Sequence, residues 1–310
     1  MKIGIVDLDT SHPNAWVPIL REMGHEVTAV FDGGTVHDAG AAGAFAEKHG
    51  IPVVCDRLAD MPELVDVAIV HSVNWDLHAE RARPFAEAGK AILIDKPMAG
   101  NARDIRQLLA WARGGVRIAG GSALRFCEEA EAWRRSRDTG DQVVTALAGC
   151  SVDDFNYGIH AYGLLLAIMG PGIESVRSAG AHIQHQVELV WRDGRRAFLS
   201  IGETAGYLPF YATIVSEREV RHIQVDADRL YRSFLAAALP DLAGESTTLS
   251  PFPPLGELLE AELAALAARR SLLEGGRAVA LEEAAVSSEP GYDGAAFAAQ
   301  YRMKARGLTR

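Results

Sequence analysis

The sequence predicts an α/β protein whose first part is a doubly wound parallel sheet and whose second part is an α+β domain with a mainly antiparallel sheet. Three observations predict this. Ile3–Val6 is a short apolar run followed by a tight turn and a helix candidate opening near Pro13. Apolar runs then alternate with helical patterns up to about residue 121, whereas later strand candidates follow one another without a helix between each pair. The 310 residues suit two domains, which we place at 1–121 and 122–310.

The first domain is predicted to be Rossmann-like because a buried strand, a tight turn and a helix begin a dinucleotide-binding unit. A helix over 39–49 is closed by Gly50, and a second, over about 76–88, contains Pro84. Asn101 is placed to cap a third helix, in which Ile105 and Leu108 recur at helical spacing. The remaining predicted strands are Val27–Phe31, Val53–Cys55, Val65–Val73, Ala91–Ile94 and Val116–Ala119.

The second domain is predicted to begin with a helix over Ser122–Thr139. Its antiparallel sheet leaves one face open, and such a face favours a homodimer or homotetramer. The tail, Ser287–Arg310, shows little periodicity and is expected to pack back on the first domain or to fray. The predicted strands are Val143–Val152, Ile173–Ser178, Val187–Trp191, Ala197–Ile201, Tyr211–Val215 and Val220–Val225, and the helices are His160–Met169, Leu230–Leu239 and Leu255–Leu273.

Composition excludes several classes of function. Hydrophobic residues make up 48% of the chain, and the net charge of −10 without a basic block argues against nucleic acid. Three cysteines without metal-binding spacing indicate reduced thiols in a cytoplasmic protein. The start of the chain has no signal-peptide pattern, and the longest apolar run is too short to cross a membrane. A small molecule is therefore the expected partner.

The turn after the first strand carries acidic residues where a dinucleotide site normally has glycine. Asp7, Asp9 and His12 occupy the three glycine positions. Two carboxylates would repel a pyrophosphate unless their side chains point away. Thr10 or Ser11 can instead cap the helix that follows. Asp7, Asp9 and His12 also suit a divalent metal, but ligands from one loop do not make a site, so we predict no metal.

Two further residues stand at strand ends, where ligands bind in open α/β sheets. Lys96 follows the fifth strand and precedes Pro97, and the peptide between them is a candidate cis bond. Lys96 is either a proton carrier with a pKa lowered by burial or a surface lysine paired with Asp95. Asp32 ends the second strand and either accepts ribose hydroxyls, which favours NAD over NADP, or closes a turn before two glycines.

The segment Asp66–Trp111 resembles the Gfo/Idh/MocA oxidoreductases, the relatives of glucose–fructose oxidoreductase and inositol dehydrogenase. It has Asn74 and His78 after a strand, a helix ending in Gly89-Lys90, and Asp95-Lys96-Pro97 after the next strand. The order and spacing match the family over about fifty residues, and the two-domain layout agrees with it.

The resemblance implies a second-domain motif, whose best match is Asn156-Tyr157-Gly158-Ile159-His160. Asn156 stands where the family has an aspartate, so the carboxylate that the resemblance implies is missing at this position. It implies hydride transfer between NAD (or NADP) and a secondary alcohol of a sugar, cyclitol or similar polyol. Lys96 would assist proton transfer, His160 would act as acid or base, and Asn156 would orient substrate. A non-redox epimerase, lyase or hydrolase, or a polyol-binding protein, remains the alternative. The implied cofactor-binding residues are Asp9, Thr10, Ser11, His12, Asp32, Ser72, Asn74, His78 and Asp95.

Overall fold

The computed structural model describes residues 1–138, 140–245 and 252–307. Its first sheet has six parallel strands, with helices on both faces. The apolar residues of its central strands are buried, as the runs of β-branched residues require in a sheet covered on both sides. The elements are β1 (Lys2–Val6), α1 (His12–Glu22), β2 (Glu26–Phe31), α2 (Ala41–His49), β3 (Val53–Val54), β4 (Val67–Val70), α3 (His78–Glu87), β5 (Ala91–Ile94), α4 (Ala102–Arg113) and β6 (Ile118–Gly120).

The first sheet has the strand order β3-β2-β1-β4-β5-β6, and every neighbouring pair is parallel. This is the doubly wound order, with its switch point between β1 and β4. The predicted Rossmann-like class is therefore confirmed. The carboxyl ends of β1, β2, β4 and β5 lie along one edge, so the residues that follow these strands are brought together.

The predicted helix over Ser122–Thr139 is wrong as a single helix. A 3₁₀ turn at Ala123–Phe126 comes first, and α5 (Glu128–Ser136) follows it. The hydroxyl of Ser122 accepts the N–H of Leu124, and Cys127 between the two segments is extended, at φ −65° and ψ 145°. Local side-chain hydrogen bonding thus competes with a continuous helix. The predicted strand Val65–Val73 is shortened to β4, because its last three residues turn into the site described below.

The second sheet has seven strands in the order β12-β11-β7-β10-β9-β8-β13. It is mainly antiparallel, but β7 and β10 run parallel. The elements of this half are β7 (Val143–Cys150), α6 (Gly158–Met169), β8 (Ile173–Ala181), β9 (His185–Trp191), β10 (Arg196–Ile201), β11 (Tyr211–Ser216), β12 (Val220–Gln224), α7 (Leu230–Ala243), α8 (Leu255–Leu258), α9 (Glu260–Leu273), β13 (Val279–Ala280), α10 (Leu281–Ala285) and α11 (Gly294–Ala305).

Helix α6 joins the two halves of the molecule. Every residue of α6 except His160 is buried, because the helix packs on β7 on one side and on the Ala123–Phe126 turn on the other. Gly163 permits the second contact, since a Cβ there would lie 2.8 Å from Cβ of Ser122. His160 is therefore held at the junction of the two halves by the packing of its neighbours.

The tail packs back on the first sheet, which is one of the two expectations stated for it. Helix α11 begins at the cap residue Asp293, whose side chain accepts the N–H of Ala296. Trp75 donates its indole N–H to the carbonyl of Tyr292 at 3.0 Å, and the ring of Phe297 lies 5.0 Å from that of Trp75. The helix has almost no apolar periodicity, which explains why the sequence did not predict it. Among the described residues, no helix is long and apolar enough to span a membrane.

Candidate active site

Lys96 lies two residues beyond the end of β5 and projects toward the second half of the molecule. The Lys96-Pro97 peptide is cis, as the sequence indicated. The ammonium of Lys96 donates hydrogen bonds to the side-chain Oδ1 of Asn156 at 3.0 Å and to its carbonyl at 3.2 Å. It also lies 5.5 Å from the centre of the Tyr157 ring. Lys96 and Asn156, predicted from different domains, are thus in direct contact.

The environment of Lys96 favours the loss of its proton. Burial lowers the pKa of Lys96, and the negative charges of Asp95 and Asp153 oppose that effect only in part. Asp153 accepts the backbone N–H groups of Phe155 and Tyr157, so it shapes the loop that carries Asn156. The sequence had indicated that this part of the site has no carboxylate, because Asn156 takes the place of the family's aspartate. Asp153 supplies one from three residues earlier.

His160 contacts Ser122 instead of a carboxylate. Its Nδ1 lies 2.7 Å from the Ser122 hydroxyl, and the ring packs against Phe210. Burial, together with the nearby charges of Lys96 and His12, holds the pKa of His160 well below its usual value. A neutral imidazole in this place can accept a proton from, or share one with, a bound hydroxyl group. Ser122 was missed because nothing in its local sequence links it to His160.

His12 and His71 share one oxygen of Asp95. Nδ1 of His12 lies 2.5 Å from Oδ2 of Asp95, and Nδ1 of His71 lies 3.0 Å from the same atom. Burial would raise the pKa of Asp95, but its contacts with His12 and His71 hold it well below the usual range. Burial lowers the pKa of His71. The carboxylate is therefore ionised. We call these three residues the His–Asp–His cluster.

Asp7 keeps the shape of the glycine turn while changing its chemistry. Its φ of 62° lies in the left-handed region that glycine favours and aspartate tolerates. The side chain is fully buried and points away from the helix terminus. It accepts hydrogen bonds from the N–H of Gly33 at 2.8 Å, from Nε of Arg81 at 3.0 Å and from the hydroxyl of Ser72. Arg81, which the sequence analysis did not single out, neutralises the charge.

Asp9 and Asp32 also turn inward. Oδ2 of Asp9 accepts the N–H of Val73 at 2.9 Å, and burial together with the charge of Asp7 raises the pKa of Asp9 to about 7. Asp32 accepts the N–H of Leu8 through Oδ1. Burial and the charge of Asp7 raise the pKa of Asp32 as well. Both carboxylates therefore accept backbone N–H groups of the loops around the β1 turn and stabilise it.

The other residues named as cofactor contacts mostly serve the fold. Thr10 accepts the N–H of His12, while Ser11 is the cap residue of α1 and makes no side-chain capping bond. Asn74 accepts the N–H of Asp76. His78 is buried, with one ring nitrogen 2.8 Å from the carbonyl of Ser72 and the other 3.2 Å from that of Met98. The structure thus gathers Lys96, His160, Asn156, His12 and Asp95 at one place. It leaves Ser72 and Asn74 in the loop after β4 and His78 at the start of α3.

Helix α11 covers the place where the adenosine half of a dinucleotide lies in this topology. A dinucleotide crosses the sheet edge at the β1/β4 switch point, with its adenosine ribose beside the acidic residue after β2. Here Val36, Val73 and Ala298 pack together at that edge, with Tyr301 beside them. In addition, a Cβ at Gly33 would lie 2.2 Å from the Arg81 guanidinium. The residues present do not fit an extended dinucleotide while α11 keeps this position.

A cavity of about 1310 Å³ lies between α5 and α7, away from Lys96. Its lining residues include Glu131, Arg134 and Pro240. None of the residues that surround Lys96 line it. The candidate site is therefore defined by the chemistry of its side chains and not by the size of a cavity.

Comparison with known proteins agrees with the fold and with the motifs of the first half. Residues 1–119 match the Gfo/Idh/MocA family, described as an oxidoreductase family with an NAD-binding Rossmann fold. The first 119 residues are therefore similar to the NAD-binding domain of the Gfo/Idh/MocA oxidoreductases. The resemblance stated from Asn74, His78 and Asp95-Lys96-Pro97 is confirmed.

Two curated relatives that match this chain are trans-1,2-dihydrobenzene-1,2-diol dehydrogenases. The human protein is 27% identical over 184 residues, which is 58% of this chain and 50% of the relative. The protein from Macaca fuscata fuscata is 31% identical over 184 residues, again 58% of this chain and 50% of the relative. This chain thus spans about half the length of these relatives.

Solved structures share the fold over most of the chain. The structure of scyllo-inositol dehydrogenase from Lactobacillus casei with bound NAD(H) and scyllo-inositol has a TM-score of 0.74 at 14% identity, covering 91% of this chain and 99% of that one. GenD2 from gentamicin A biosynthesis, in complex with NAD, has a TM-score of 0.73 at 15% identity, with 90% and 96% covered. At such identities the likeness establishes the fold alone.

Proposed function

We propose that this protein is an oxidoreductase that acts on a secondary alcohol of a sugar, cyclitol or vicinal diol, with NAD or NADP as the hydride carrier. The family match of residues 1–119 and the activities of the similar diol and inositol dehydrogenases support the reaction class. The observation that carries the proposal to this chain is the partly buried Lys96 ammonium, which Asn156 holds at a strand end and whose charge acts on His160. In this proposal residues 1–121 form the nucleotide side and 122–310 the substrate side.

The side chains support a proton relay at a substrate hydroxyl. Lys96 in its neutral form accepts the hydroxyl proton as the alcohol is oxidised, and returns it in the reverse direction. The amide of Asn156 fixes the lysine and presents a donor to a neighbouring hydroxyl group. His160, neutral and anchored on Ser122, accepts or donates a hydrogen bond at a second hydroxyl. Two adjacent hydroxyl groups on the substrate would satisfy these groups together.

Nucleotide binding requires α11 to leave its place over Val36 and Val73. Polar contacts hold the helix at its two ends, and Phe297 packs on Trp75 between them. Asp76 accepts the N–H groups of Gly294 and Ala295, and Asp38 pairs with both Arg302 and Arg306. The ion pairs at Asp38 are exposed and contribute little, so displacing the helix costs chiefly its apolar packing. Asp32, Thr10 and Ser11 would then hold the nucleotide.

A non-redox enzyme on the same substrate class is the second candidate. It is favoured by the Asp7–Arg81 ion pair and by the cover that α11 places over the adenosine side. Lys96 and His160 would then carry out proton transfer at a carbon next to a carbonyl group, as in epimerisation or elimination.

The deciding experiment is calorimetric titration of the full chain with NAD, NADH, NADP and NADPH. It is followed by turnover assays on vicinal diols and inositols. Saturable nucleotide binding, with alcohol-dependent reduction of the nucleotide, is expected. The variant Lys96→Met should lower turnover by about 10²–10⁴-fold and leave nucleotide affinity within about threefold. Lys90→Met, in the turn between α3 and β5, is the matched control and should behave as the parent protein.

Absence of nucleotide binding at about 1 mM would contradict the oxidoreductase proposal and leave the non-redox candidate. Incorporation of solvent deuterium into a sugar panel, followed by NMR, tests that candidate directly. Loss of nucleotide affinity in Lys96→Met equal to its loss of rate would contradict the proton-transfer role.

We also propose that the open face of the second sheet pairs with a second copy of the chain. Leu147 on β7 and Phe198 on β10 are adjacent in register and are 38% and 43% exposed. Sedimentation velocity should show a dimer or tetramer, and Phe198→Glu should shift it toward the monomer.

A further inference from the structure

The His–Asp–His cluster is built from three separate segments of the first sheet. His12 is the first residue of α1, His71 follows β4, and Asp95 follows β5. The three segments converge because the carboxyl ends of β1, β4 and β5 are adjacent in the sheet. Ligands drawn from three elements with fixed relative positions form a rigid site, unlike the single-loop set Asp7, Asp9 and His12 that the sequence offered.

The ligand atoms of the cluster have the spacing of a metal site. One nitrogen from each histidine and one oxygen of Asp95 all lie within 4.8 Å of one another. Two of the separations are 2.5 and 3.0 Å. Three ligands at about 2.0–2.1 Å from a tetrahedral Zn²⁺ lie roughly 3.3 Å apart. Small rotations of the two imidazoles would therefore bring all three atoms onto one ion.

The cluster is poorly explained as a structural hydrogen-bond network. Both imidazoles converge on the same carboxylate oxygen, while the other oxygen of Asp95 accepts the backbone N–H of Lys96 at 2.8 Å. Nε2 of His71 is buried and has no hydrogen-bond partner among the described residues, so Nδ1, which faces Asp95, makes the one hydrogen bond that the structure gives this ring.

The surroundings of the cluster suit a catalytic metal site. The Trp16 ring stacks on His12 at an interplanar angle of 4°, and the Tyr231 ring lies 5.0 Å from it. These rings fix the orientation of His12, whose side chain keeps 15% exposure, while His71 has none. The cluster is thus closed on one side and open on the other. Asp95 is the chain neighbour of Lys96 and accepts its backbone N–H, so the cluster adjoins the catalytic candidates.

We infer that His12, His71 and Asp95 bind one divalent transition-metal ion, such as Zn²⁺, with at least one coordination position left for substrate oxygen. Two imidazoles and one carboxylate form a ligand set that zinc and other divalent transition metals use when they keep open positions. The ion would polarise a hydroxyl or carbonyl oxygen of the substrate next to Lys96 and His160. The inference does not depend on nucleotide binding or on redox turnover.

The test measures metal binding by the full chain without any substrate. Protein treated with chelator and dialysed is titrated with Zn²⁺ by calorimetry and with Co²⁺ by visible absorption. One equivalent of each is expected, and Co²⁺ should give d–d bands typical of four- or five-fold nitrogen and oxygen coordination. His12→Ala and Asp95→Asn should each weaken Zn²⁺ binding by about 100-fold or more. His182→Ala removes an exposed histidine and should bind as the parent protein does.

His71 is buried, so a circular dichroism spectrum must show that His71→Ala is folded before its metal binding is interpreted. His12 is partly exposed, and His12→Gln is therefore the variant that disturbs packing least. The inference is overturned if Zn²⁺ binding shows no stoichiometric phase at about 1 mM. It is also overturned if folded His12→Gln binds Zn²⁺ as tightly as His182→Ala. If the protein binds Zn²⁺ but no nucleotide, the metal site is supported. The missing nucleotide binding then contradicts the oxidoreductase proposal alone.

Discussion

Glu262 lies in α9 directly beneath the turn that carries Lys96, and its protonation should control stability. The side chain is fully buried. Oε1 accepts the backbone N–H of Met98 at 3.0 Å, whereas Oε2 has no hydrogen-bond partner among the described residues. Burial raises the pKa of Glu262 from 4.5 to about 7. We predict that Glu262→Gln, which removes the charge and keeps the acceptor, makes stability less dependent on pH.

The direction of the effect follows from where the proton binds more tightly. The folded state holds the proton of Glu262 up to about pH 7, but the unfolded chain releases it near pH 4.5. Ionisation therefore opposes folding, and the stability of the parent protein falls as the pH rises between these values. From about pH 5 to about pH 8 the loss attributable to Glu262 is roughly 2–3 kcal/mol.

The assay is urea unfolding of both proteins at about pH 5 and about pH 8, monitored by tryptophan fluorescence. Relative to the parent protein, Glu262→Gln should gain stability as the pH rises. The difference in the free energy of unfolding, variant minus parent, should be about 2–3 kcal/mol larger at the higher pH than at the lower. The control Glu63→Gln alters an exposed carboxylate and should change the difference by less than about 0.5 kcal/mol. Equal differences at the two pH values would refute the reasoning, because a buried carboxyl with a raised pKa must produce a slope.

Three further predictions concern the turn, the cover and a helix terminus. Arg81→Met should destabilise the protein by about 3–5 kcal/mol in urea unfolding, because it leaves the buried Asp7 charge unpaired, whereas Arg83→Met should cost under about 1 kcal/mol. Phe297→Ala loosens α11 and should tighten NAD binding severalfold by calorimetry, since it raises the population of the open crevice; unchanged or weaker binding would contradict the role of α11 as a cover. Asn101→Ala should cost about 1 kcal/mol of thermal stability through loss of the α4 cap, and Asn101→Asp should restore most of it.

Local sequence patterns predicted most of the elements. Continuous apolar runs identified β1 and β5, because strands covered on both faces cannot carry polar residues. Asn101 was placed correctly as a cap, and Pro97 as a cis proline, because both depend on the residues immediately around them. Helix α11 was not predicted, because packing against Trp75 and Val73, not its own periodicity, holds it in place.

The sequence by itself determined the fold class, the family resemblance and the position of Lys96 after a strand, since each follows from spacing along the chain. Only the tertiary structure decided which polar residues meet. Asp7 turned out to pair with Arg81, 74 residues away, and His12 with Asp95, 83 residues away. Such pairs form where the ends of parallel strands lie side by side, and the number of residues between two positions does not show which strand ends will be neighbours. The turn after β1 lacks glycine, but its acidic and histidine residues have structural partners. Asp7 stabilises the turn through its hydrogen bonds, and His12 completes the His–Asp–His cluster.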